Sequence, residues 1–353
     1  MRNIEIVAYT QQDLKRLLAD EQFWAQPQLP ITKRRAISSL SNPRAVDSDT
    51  VLITALSKGQ LIAYIGILPD VLRSNDQQTM RFGWTTTWWV ETESTNKLSA
   101  AMVMFAALKK YPKRIAGSNP SKEAERAWVA TKLFRECARF DRSYFIMAPP
   151  PSLRFFSPPI RWTIGAKNRM IFDRKLGKHG LEIRTVGAFD EPFESFVNTR
   201  AIRDPLARDT AYWNWVLNFP WMSTSPEDEA AQKSYAFSVF AKDFRQIPLL
   251  VFRHGAVIAF LVMTLREGRL TLKYADYDLC DTADVATALQ VAVADINPWL
   301  FICPDSELSA MLKRLFPFYL ARHSKSSAIY AVNGLPLSVG WHPHWGSGDK
   351  IFT

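Results

Sequence analysis

Apolar and polar residues alternate along the first part of the chain in runs that predict three strands and a helix. The strands span residues 51–56, 61–68 and 81–90, and the helix spans residues 97–110. The turn Lys58-Gly59-Gln60 separates the first two strands, and a polar loop at residues 91–96 precedes the helix. A helix that begins after such a loop offers free N–H groups and the positive end of its dipole. The pattern therefore predicts an anion site at this loop.

The first half continues with elements of the same kind. The apolar positions of the helix share one face, which predicts packing on a sheet: Leu98, Ala101, Met102, Phe105 and Leu108. Residues 115–118 predict a short strand, and residues 143–147 predict a closing strand. Between them, Asn119-Pro120 predicts the start of a helix that runs to about residue 139, with Asn119 as its N-cap.

The order of elements repeats from residue 181 onward. Strands are predicted at residues 181–186, 235–240, 249–252, Ala256–Arg266 and Arg269–Tyr277, with helices before residue 217 and turns at His254-Gly255 and Glu267-Gly268. A polar loop and a helix at residues 283–296 follow, and then Leu300–Cys303, residues 305–315 and Ser327–Val332. The repeat predicts an α/β protein with mixed sheets and two tandem domains. Their bounds are residues 1–150 and 181–353, joined by a connector at residues 151–180.

The strand, loop and helix around Val90 resemble the GNAT acyltransferases, whose loop binds the pyrophosphate of acyl-CoA. On the family pattern Val-x-Pro-x-Tyr-Arg-Gly-x-Gly-x-Gly/Ala, Val90 and Ala100 match, whereas Asn96 and Leu98 stand at glycine positions. The resemblance implies acetyl-CoA or another acyl-CoA as co-substrate, held by a set of residues on this strand, loop and helix: Trp88, Trp89, Val90, Thr95, Asn96, Lys97, Leu98, Ser99, Ala100 and Asn119. Because glycine lets the backbone approach phosphate, Leu98 predicts weakened CoA binding.

Direct acyl transfer to an amine needs a base, donors that polarise the thioester and an acid for the leaving thiolate. The family's usual tyrosine acid position is occupied by Val129. Polar candidates that would face a cleft in the first domain are Tyr64, Thr86 and Tyr144. Strand alternation predicts that Thr86 shares a face with Trp84 and Trp88.

The net charge of +10 is concentrated toward the first half and the connector. Residues 151–185 contain eight Lys and Arg against two Asp and Glu, a surplus of +6. The connector also combines prolines with Phe155, Phe156 and Trp162. This composition predicts either a site for an anionic partner (tRNA, a nucleotide sugar or a membrane surface) or a plain crossover between domains.

Three dispersed cysteines favour a reduced, cytoplasmic compartment, with association at a membrane surface as an extension through the basic connector. No apolar run approaches the length of a membrane span. The C-terminal Trp341-His342-Pro343-His344-Trp345 and Asp349 lack the further ligands of a metal site, so no metal is predicted. The aromatic cluster at residues 212–215 and 219–221 predicts a core rather than a ring-stacking site.

Three functions remain open on the sequence. The resemblance implies an acyl-CoA-dependent N-acyltransferase, in particular an N-acetyltransferase acting on an amine such as the amino sugar of a surface-glycan precursor. A Fem-like aminoacyl-tRNA-dependent transferase would use the basic surplus for tRNA. A non-catalytic GNAT-like binding module would need neither the glycines nor the tyrosine. The second half carries Asp278, Asp281 and Asp284 where phosphate would lie, which predicts that it does not bind CoA.

Overall fold

The computed structural model describes residues 4–73, 78–91, 98–147, 176–177, 179–187, 189–315, 327–337, 344 and 346–353. Within these residues the strands, in chain order, are β1 Ile4–Thr10, β2 Thr50–Ser57, β3 Gln60–Arg73, β4 Thr79–Val90, β5 Ile115–Ser118, β6 Phe134–Phe140, β7 Ser143–Ile146, β8 Leu181–Thr185, β9 Phe244–Arg253, β10 Ala256–Arg266, β11 Arg269–Tyr277, β12 Leu300–Cys303 and β13 Ser327–Val332. The helices are α1 Gln11–Leu17, α2 Glu21–Trp24, α3 Lys33–Leu40, α4 Leu98–Lys110, α5 Lys122–Thr131, α6 Glu191–Ala201, α7 Thr210–Asn218, α8 Pro226–Ala231, α9 Thr282–Ile296 and α10 Ser306–Leu315. Short 3₁₀ turns span Leu279–Asp281 and Gly348–Phe352.

In the described part of the chain, three tight hairpins are built on two-residue turns that end in glycine. Lys58-Gly59 joins β2 to β3, His254-Gly255 joins β9 to β10, and Glu267-Gly268 joins β10 to β11. Both residues of each turn have positive φ, from 50° to 83°. This is the type I′ geometry, whose twist matches that of the flanking strands. All three turns confirm the sequence prediction.

The strands form two mixed sheets that repeat one topology. The first sheet has the order β1-β2-β3-β4-β5-β13-β6, and the second has the order β7-β12-β11-β10-β9-β8. In each sheet an antiparallel run of four strands is followed by one parallel pairing, β4 with β5 and β11 with β12. The predicted tandem α/β organisation is thus confirmed.

Each half also contributes one strand to the sheet of the other half. Strand β7 pairs antiparallel with β12 in the second sheet, although its sequence lies in the first half. Strand β13 inserts between β5 and β6 in the first sheet. Because of this exchange, neither sheet is complete without the other half of the chain.

A shared core joins the two sheets. Trp84 and Phe82 from the first sheet pack in one cluster with Phe260 and Tyr274 from the second. The aromatic residues of α7 belong to this cluster: Trp213 and Trp215 are both under 4% exposed. The prediction that the cluster at residues 212–221 is a core is confirmed, since Trp221 stacks on Phe352 with ring centroids 4.7 Å apart. Helix α4 covers the first sheet's other face, and α9 and α10 cover the second sheet.

Two helix predictions in the first half are wrong. Helix α5 ends at Thr131 because Lys132 adopts a left-handed cap conformation with φ of 56°, and residues after it form strand β6. Its N-cap is Ser121, whose hydroxyl accepts a hydrogen bond from the Ala124 backbone N–H, not Asn119. Asn119 itself has φ of 49° and lies just beyond the end of β5.

The buried face of α4 also differs from the predicted one. Leu98 is 67% exposed and Phe105 is 56% exposed. The face against the sheet is formed by smaller or unbranched residues: Ser99, Val103, Met104 and Ala107. In a helix that is apolar on most sides, periodicity does not decide which stripe is buried, and small side chains allow the closer approach. Residues 235–240, predicted as a strand, form only an isolated bridge between Phe240 and Ser223.

Candidate functional site

A cavity opens in the first sheet where two strands separate. Strand β4 pairs with β5 only from Gly83 to Thr85, yet it continues to Val90. The cavity at this separation has a volume of about 430 Å³. Its lining comes from β4, the end of β5 and the residues after it, α5, α3, the segment 222–238, the end of β10 and the C-terminal segment: Arg35, Thr85, Thr86, Thr87, Trp88, Ser118, Asn119, Pro120, Ser121, Ala124, Trp128, Met222, Phe237, Ser238, Arg266, Asp349, Lys350 and Thr353.

A β-bulge lies in β4 at the mouth of this separation. Ile65 pairs with Trp88 and Ile67 pairs with Thr85, so Thr86 and Thr87 together oppose the single residue Gly66. A bulge takes an extra residue out of the ladder and redirects the strand. Bulges are frequent beside active sites for this reason.

The bulge reverses the alternation of side chains along β4. Trp84 packs in the core between the sheets, whereas Trp88 packs with the residues under α4. The expectation that Thr86 shares a face with both tryptophans is therefore wrong. Thr86 lies at the point of reversal and lines the cavity.

The structure brings together some of the sequence-predicted site residues. Thr86, Trp88 and Asn119 all line the cavity. Tyr64 is fully buried and stacks on Trp89, with ring centroids 5.4 Å apart, outside the cavity lining. Burial raises the pKa of Tyr64 far above its usual range, so its hydroxyl stays protonated.

Tyr144 lies away from this group. It belongs to β7 and pairs with Ile302 in the second sheet. The expectation that it faces a cleft of the first domain is wrong because the strand exchange carries it across. The exchange depends on pairing between strands far apart in sequence, so the local pattern of apolar and polar residues does not predict it.

The predicted phosphate loop is described only at its end. Thr95, Asn96 and Lys97 lie outside the described residues. Leu98 begins α4 with an exposed side chain, Ser99 is fully buried, and Ala100 is half-buried. Val90 packs under α4 at the end of β4.

Two charged residues of the cavity, Arg35 and Arg266, were not predicted from the sequence. Arg35 on α3 is 6% exposed and lies over the rings of Trp221 and Tyr235, at 4.4 and 5.2 Å from their centroids. Arg266 ends β10, and burial, aided by nearby Arg269, lowers its pKa. The sequence marks Arg35 only as part of the basic run Lys33-Arg34-Arg35, and this run does not show which cation points inward.

Polar atoms around the cavity are left without protein partners. Within the described part of the chain, no hydrogen bond reaches either amide atom of Asn119, the Nε of Arg35 and Arg266, or the indole N–H of Trp88 and Trp128. Buried polar atoms in native proteins are nearly always satisfied. So many open donors and acceptors around one cavity indicate a site for a polar ligand.

Asp349 supplies the one side-chain carboxylate among the described lining residues. It lies in the C-terminal 3₁₀ turn, is 6% exposed, and accepts a hydrogen bond of 3.2 Å from the Ser118 hydroxyl. Gly348 precedes it with φ of 73°, and a side chain there would crowd the Trp84 ring at 3.2 Å. The glycine thus lets the turn approach the first sheet closely enough to place Asp349 at the cavity.

The second sheet has a matching separation, but the chain itself fills it. Lys273 is the extra residue of a bulge in β11, just past the last pairing of β11 with β12 at Thr271. There the Gly346 N–H donates a 2.7 Å hydrogen bond to the Lys273 carbonyl. A void of only about 20 Å³ remains beside it.

The acidic loop of the second half is occupied by arginines. Arg200 donates hydrogen bonds to both Asp278 oxygens at 2.7 and 2.9 Å, and Arg253 contacts Asp281 and Asp284 at 2.6 and 3.0 Å. The arginines at this loop are thus engaged by carboxylates rather than open to phosphate, and the strand separation beside it is filled. The larger cavity of the first sheet is the candidate site.

No group of three or more His, Cys, Asp and Glu within the described ranges could hold a metal ion. His344 packs on the Tyr274 ring, with centroids 4.2 Å apart. None of the described helices has the length and apolar content needed to cross a bilayer.

Comparison with known proteins identifies the fold. No family model matches the chain, and no curated protein matches its sequence. The structure of Saccharomyces cerevisiae N-myristoyltransferase with bound myristoyl-CoA has a TM-score of 0.53 to it, covers 94% of this chain and 79% of that chain, and shares 12% sequence identity. A GCN5-related N-acetyltransferase from Anabaena variabilis has a TM-score of 0.52, with 93% and 72% of the chains covered at 9% identity. A protein of unknown function from Enterococcus faecalis, described as a probable N-acyltransferase, has a TM-score of 0.50, with 93% and 72% covered at 11% identity. The chain therefore has a GNAT-like fold through both halves.

Proposed function

We propose that this protein is an acyl-CoA-dependent N-acyltransferase whose reaction takes place in the cavity of the first sheet. The observation that carries the proposal is the separation of β4 from β5 directly after Thr85, with the bulge at Thr86 and Thr87 opening onto unpartnered polar groups. The similarity in fold to an N-myristoyltransferase with bound myristoyl-CoA and to a GCN5-related N-acetyltransferase supports it.

The donor enters between the two separated strands, with its thioester carbonyl against the bulge. A redirected backbone N–H and the unpartnered donors beside it can stabilise the oxyanion that forms when an amine attacks the carbonyl carbon. Such preorganised donors act strongly because the cavity keeps them from water.

Asp349 is the proposed base. Its carboxylate lies in the same cavity and is oriented by the Ser118 hydroxyl. It accepts a proton from the acceptor ammonium, so that the neutral nitrogen attacks the thioester carbon. The tetrahedral intermediate then releases the CoA thiolate, which takes up a proton, and leaves the amide.

The finer part of the proposal is an acetyl group as the acyl unit and an amino sugar as the acceptor. The polar lining supports a hydrophilic acceptor, and the rings of Trp88, Trp128 and Phe237 offer faces on which a sugar ring can pack. An aminoacyl-tRNA-dependent transferase and a binding module are the alternatives that the test below separates.

The test is release of free thiol from acetyl-CoA by the purified protein in the presence of glucosamine, with mass analysis of the product. We expect amine-dependent thiol release and an N-acetylated sugar. Calorimetric binding of acetyl-CoA without turnover of any amine would favour a binding module. Transfer from aminoacyl-tRNA, with no acetyl-CoA binding, would favour the Fem-like alternative.

A further inference from the structure

The cavity carries more positive than negative charge. Its described lining includes the side chains of Arg35, Arg266 and Lys350 against one side-chain carboxylate, that of Asp349. No ion pair within the described part of the chain engages Arg35, Arg266 or Lys350 through its side chain. Buried charges in proteins are normally paired, because an uncompensated charge is costly to remove from water.

Arg35 is fixed in place although its charge is uncompensated. It is 6% exposed, and its guanidinium is held over the Trp221 and Tyr235 rings. Its Nε nevertheless lacks a hydrogen-bond partner in the described residues. Stacking orients the planar group and leaves its N–H edge available for a carboxylate or phosphoryl group.

The cationic groups of the cavity come from other elements than the walls of the strand separation. The separated strands and α5 contribute Thr85, Trp88 and Trp128, whereas Arg35 and Arg266 come from α3 and from β10 of the second sheet. A second, smaller void of about 30 Å³ adjoins the bulge and is also lined by Arg35. Arg35 therefore borders both the larger cavity and the bulge at Thr86 and Thr87.

We propose that Arg35 and Arg266 bind an anionic group on the acceptor, so that the substrate class is amines that also carry a carboxylate or a phosphoryl group. That the bound molecule is the acyl acceptor rests on the proposed function. The binding of an anion by Arg35 and Arg266 does not depend on it. Asn119 and Asp349, at the same cavity, contact the uncharged part and the amine of the same molecule.

The experiment compares matched acceptors that differ by the anion: glucosamine with glucosamine 6-phosphate, and butylamine with γ-aminobutyrate. We expect kcat/KM with acetyl-CoA to favour the anionic member of at least one pair by roughly tenfold to a hundredfold, as hydrogen bonds to charged groups imply. A preference within the glucosamine pair indicates a phosphoryl site, and a preference within the butylamine pair indicates a carboxylate site.

Variants test whether the preference comes from the named residues. Arg35→Gln and Arg266→Gln should each abolish it, and Arg245→Gln, which removes an exposed arginine of the neighbouring strand β9, should retain it. Because Arg35 is packed between rings, its variant is checked by thermal unfolding, and Arg266→Gln keeps the test decisive if Arg35→Gln fails to fold. Equal rates within both pairs, or a preference that survives both substitutions, would overturn the inference.

A binding arm without donor separates this inference from the proposed function. Calorimetry of glucosamine 6-phosphate and γ-aminobutyrate against the wild type and Arg266→Gln needs no transfer. Arginine-dependent binding of an anion without transfer supports the anion site and contradicts the transferase. Transfer only to the uncharged amines supports the transferase and overturns the anion site.

Discussion

A single methyl group added at Gly66 would displace the bulge in β4, because Gly66 lies opposite Thr86 and Thr87. A Cβ added at Gly66 would lie 2.9 Å from the Thr87 Oγ1 and closer still to the Thr86 Oγ1. Ordinary carbon contacts are about 3.5–4.0 Å. Gly66→Ala therefore forces the bulge back by roughly 0.5–1 Å, since both hydroxyls are on short, branched side chains and Thr87 is buried.

The expected effect on stability is modest and the expected effect on catalysis is large. Overpacking of this kind costs about 1–3 kcal/mol of unfolding free energy. A displacement of about 1 Å at a group that orients the reacting carbonyl lowers the rate about 10²-fold. The assay is kcat/KM for acetyl-CoA at a temperature where the variant remains folded, with thermal unfolding measured in parallel.

Gly83→Ala is the matched control. It lies on β4, where a Cβ would meet the Ile67 Cγ2 at 2.5 Å, but Gly83 does not line the cavity. It should destabilise the protein to a similar degree and leave kcat/KM of the folded protein nearly unchanged. Wild-type activity in folded Gly66→Ala, or an equal loss in both variants, would refute the role given to the bulge.

Three further predictions follow from the charged groups. Asp349→Asn should lower kcat about 10²–10⁴-fold, as expected for loss of a general base, whereas Asp243→Asn at an exposed carboxylate should not; unchanged kcat would exclude Asp349 as the base. Burial, with nearby Lys350 as the next cause, lowers the pKa of Lys273 from its ordinary value of 10.5 to about 7. Between these two pH values the unfolded state therefore binds more protons than the folded state. The free energy of unfolding of the wild type relative to Lys273→Met should rise across that window by at most about 1.4 kcal/mol per pH unit, and parallel pH curves would contradict this assignment. Neutralising four connector cations should weaken binding of an anionic partner such as tRNA and flatten its salt dependence, and unchanged binding would make the connector a spacer; the four are Arg154, Arg161, Lys167 and Arg169.

Local signals in the sequence predicted the elements of the fold where the chemistry is local. The X-Gly turns at Lys58, His254 and Glu267 predicted the hairpins because positive φ at both turn residues favours such dipeptides. The strand–loop–helix order around Val90 predicted the GNAT-like fold through its resemblance to the family pattern. Helix α5 was extended too far because Lys132, not glycine, takes the left-handed cap that ends it.

The candidate site depended on contacts that no local pattern contains. Because Thr86 and Thr87 together oppose the single residue Gly66, Trp88 points to the opposite side of the sheet from the one that strict alternation predicts. The rule of alternation thus fails at the strand that lines the cavity. Arg35, Arg266 and Asp349 are brought together from positions far apart in sequence by the shared core and the C-terminal turn. Tyr144 is carried into the other sheet by strand exchange. Thr86, Trp88 and Asn119 were predictable because they flank the strand separation itself.

The most direct test of the account is a crystal structure of the protein with an unreactive thioether analogue of acetyl-CoA. The account predicts that the pantetheine arm passes between β4 and β5 and that the sulfur lies beside the bulge at Thr86 and Thr87, within reach of Asp349. It further predicts that the phosphates lie at the beginning of α4, near Leu98. An analogue bound in the second half at residues 278–284, or a first-sheet cavity left empty at saturating analogue, would contradict it.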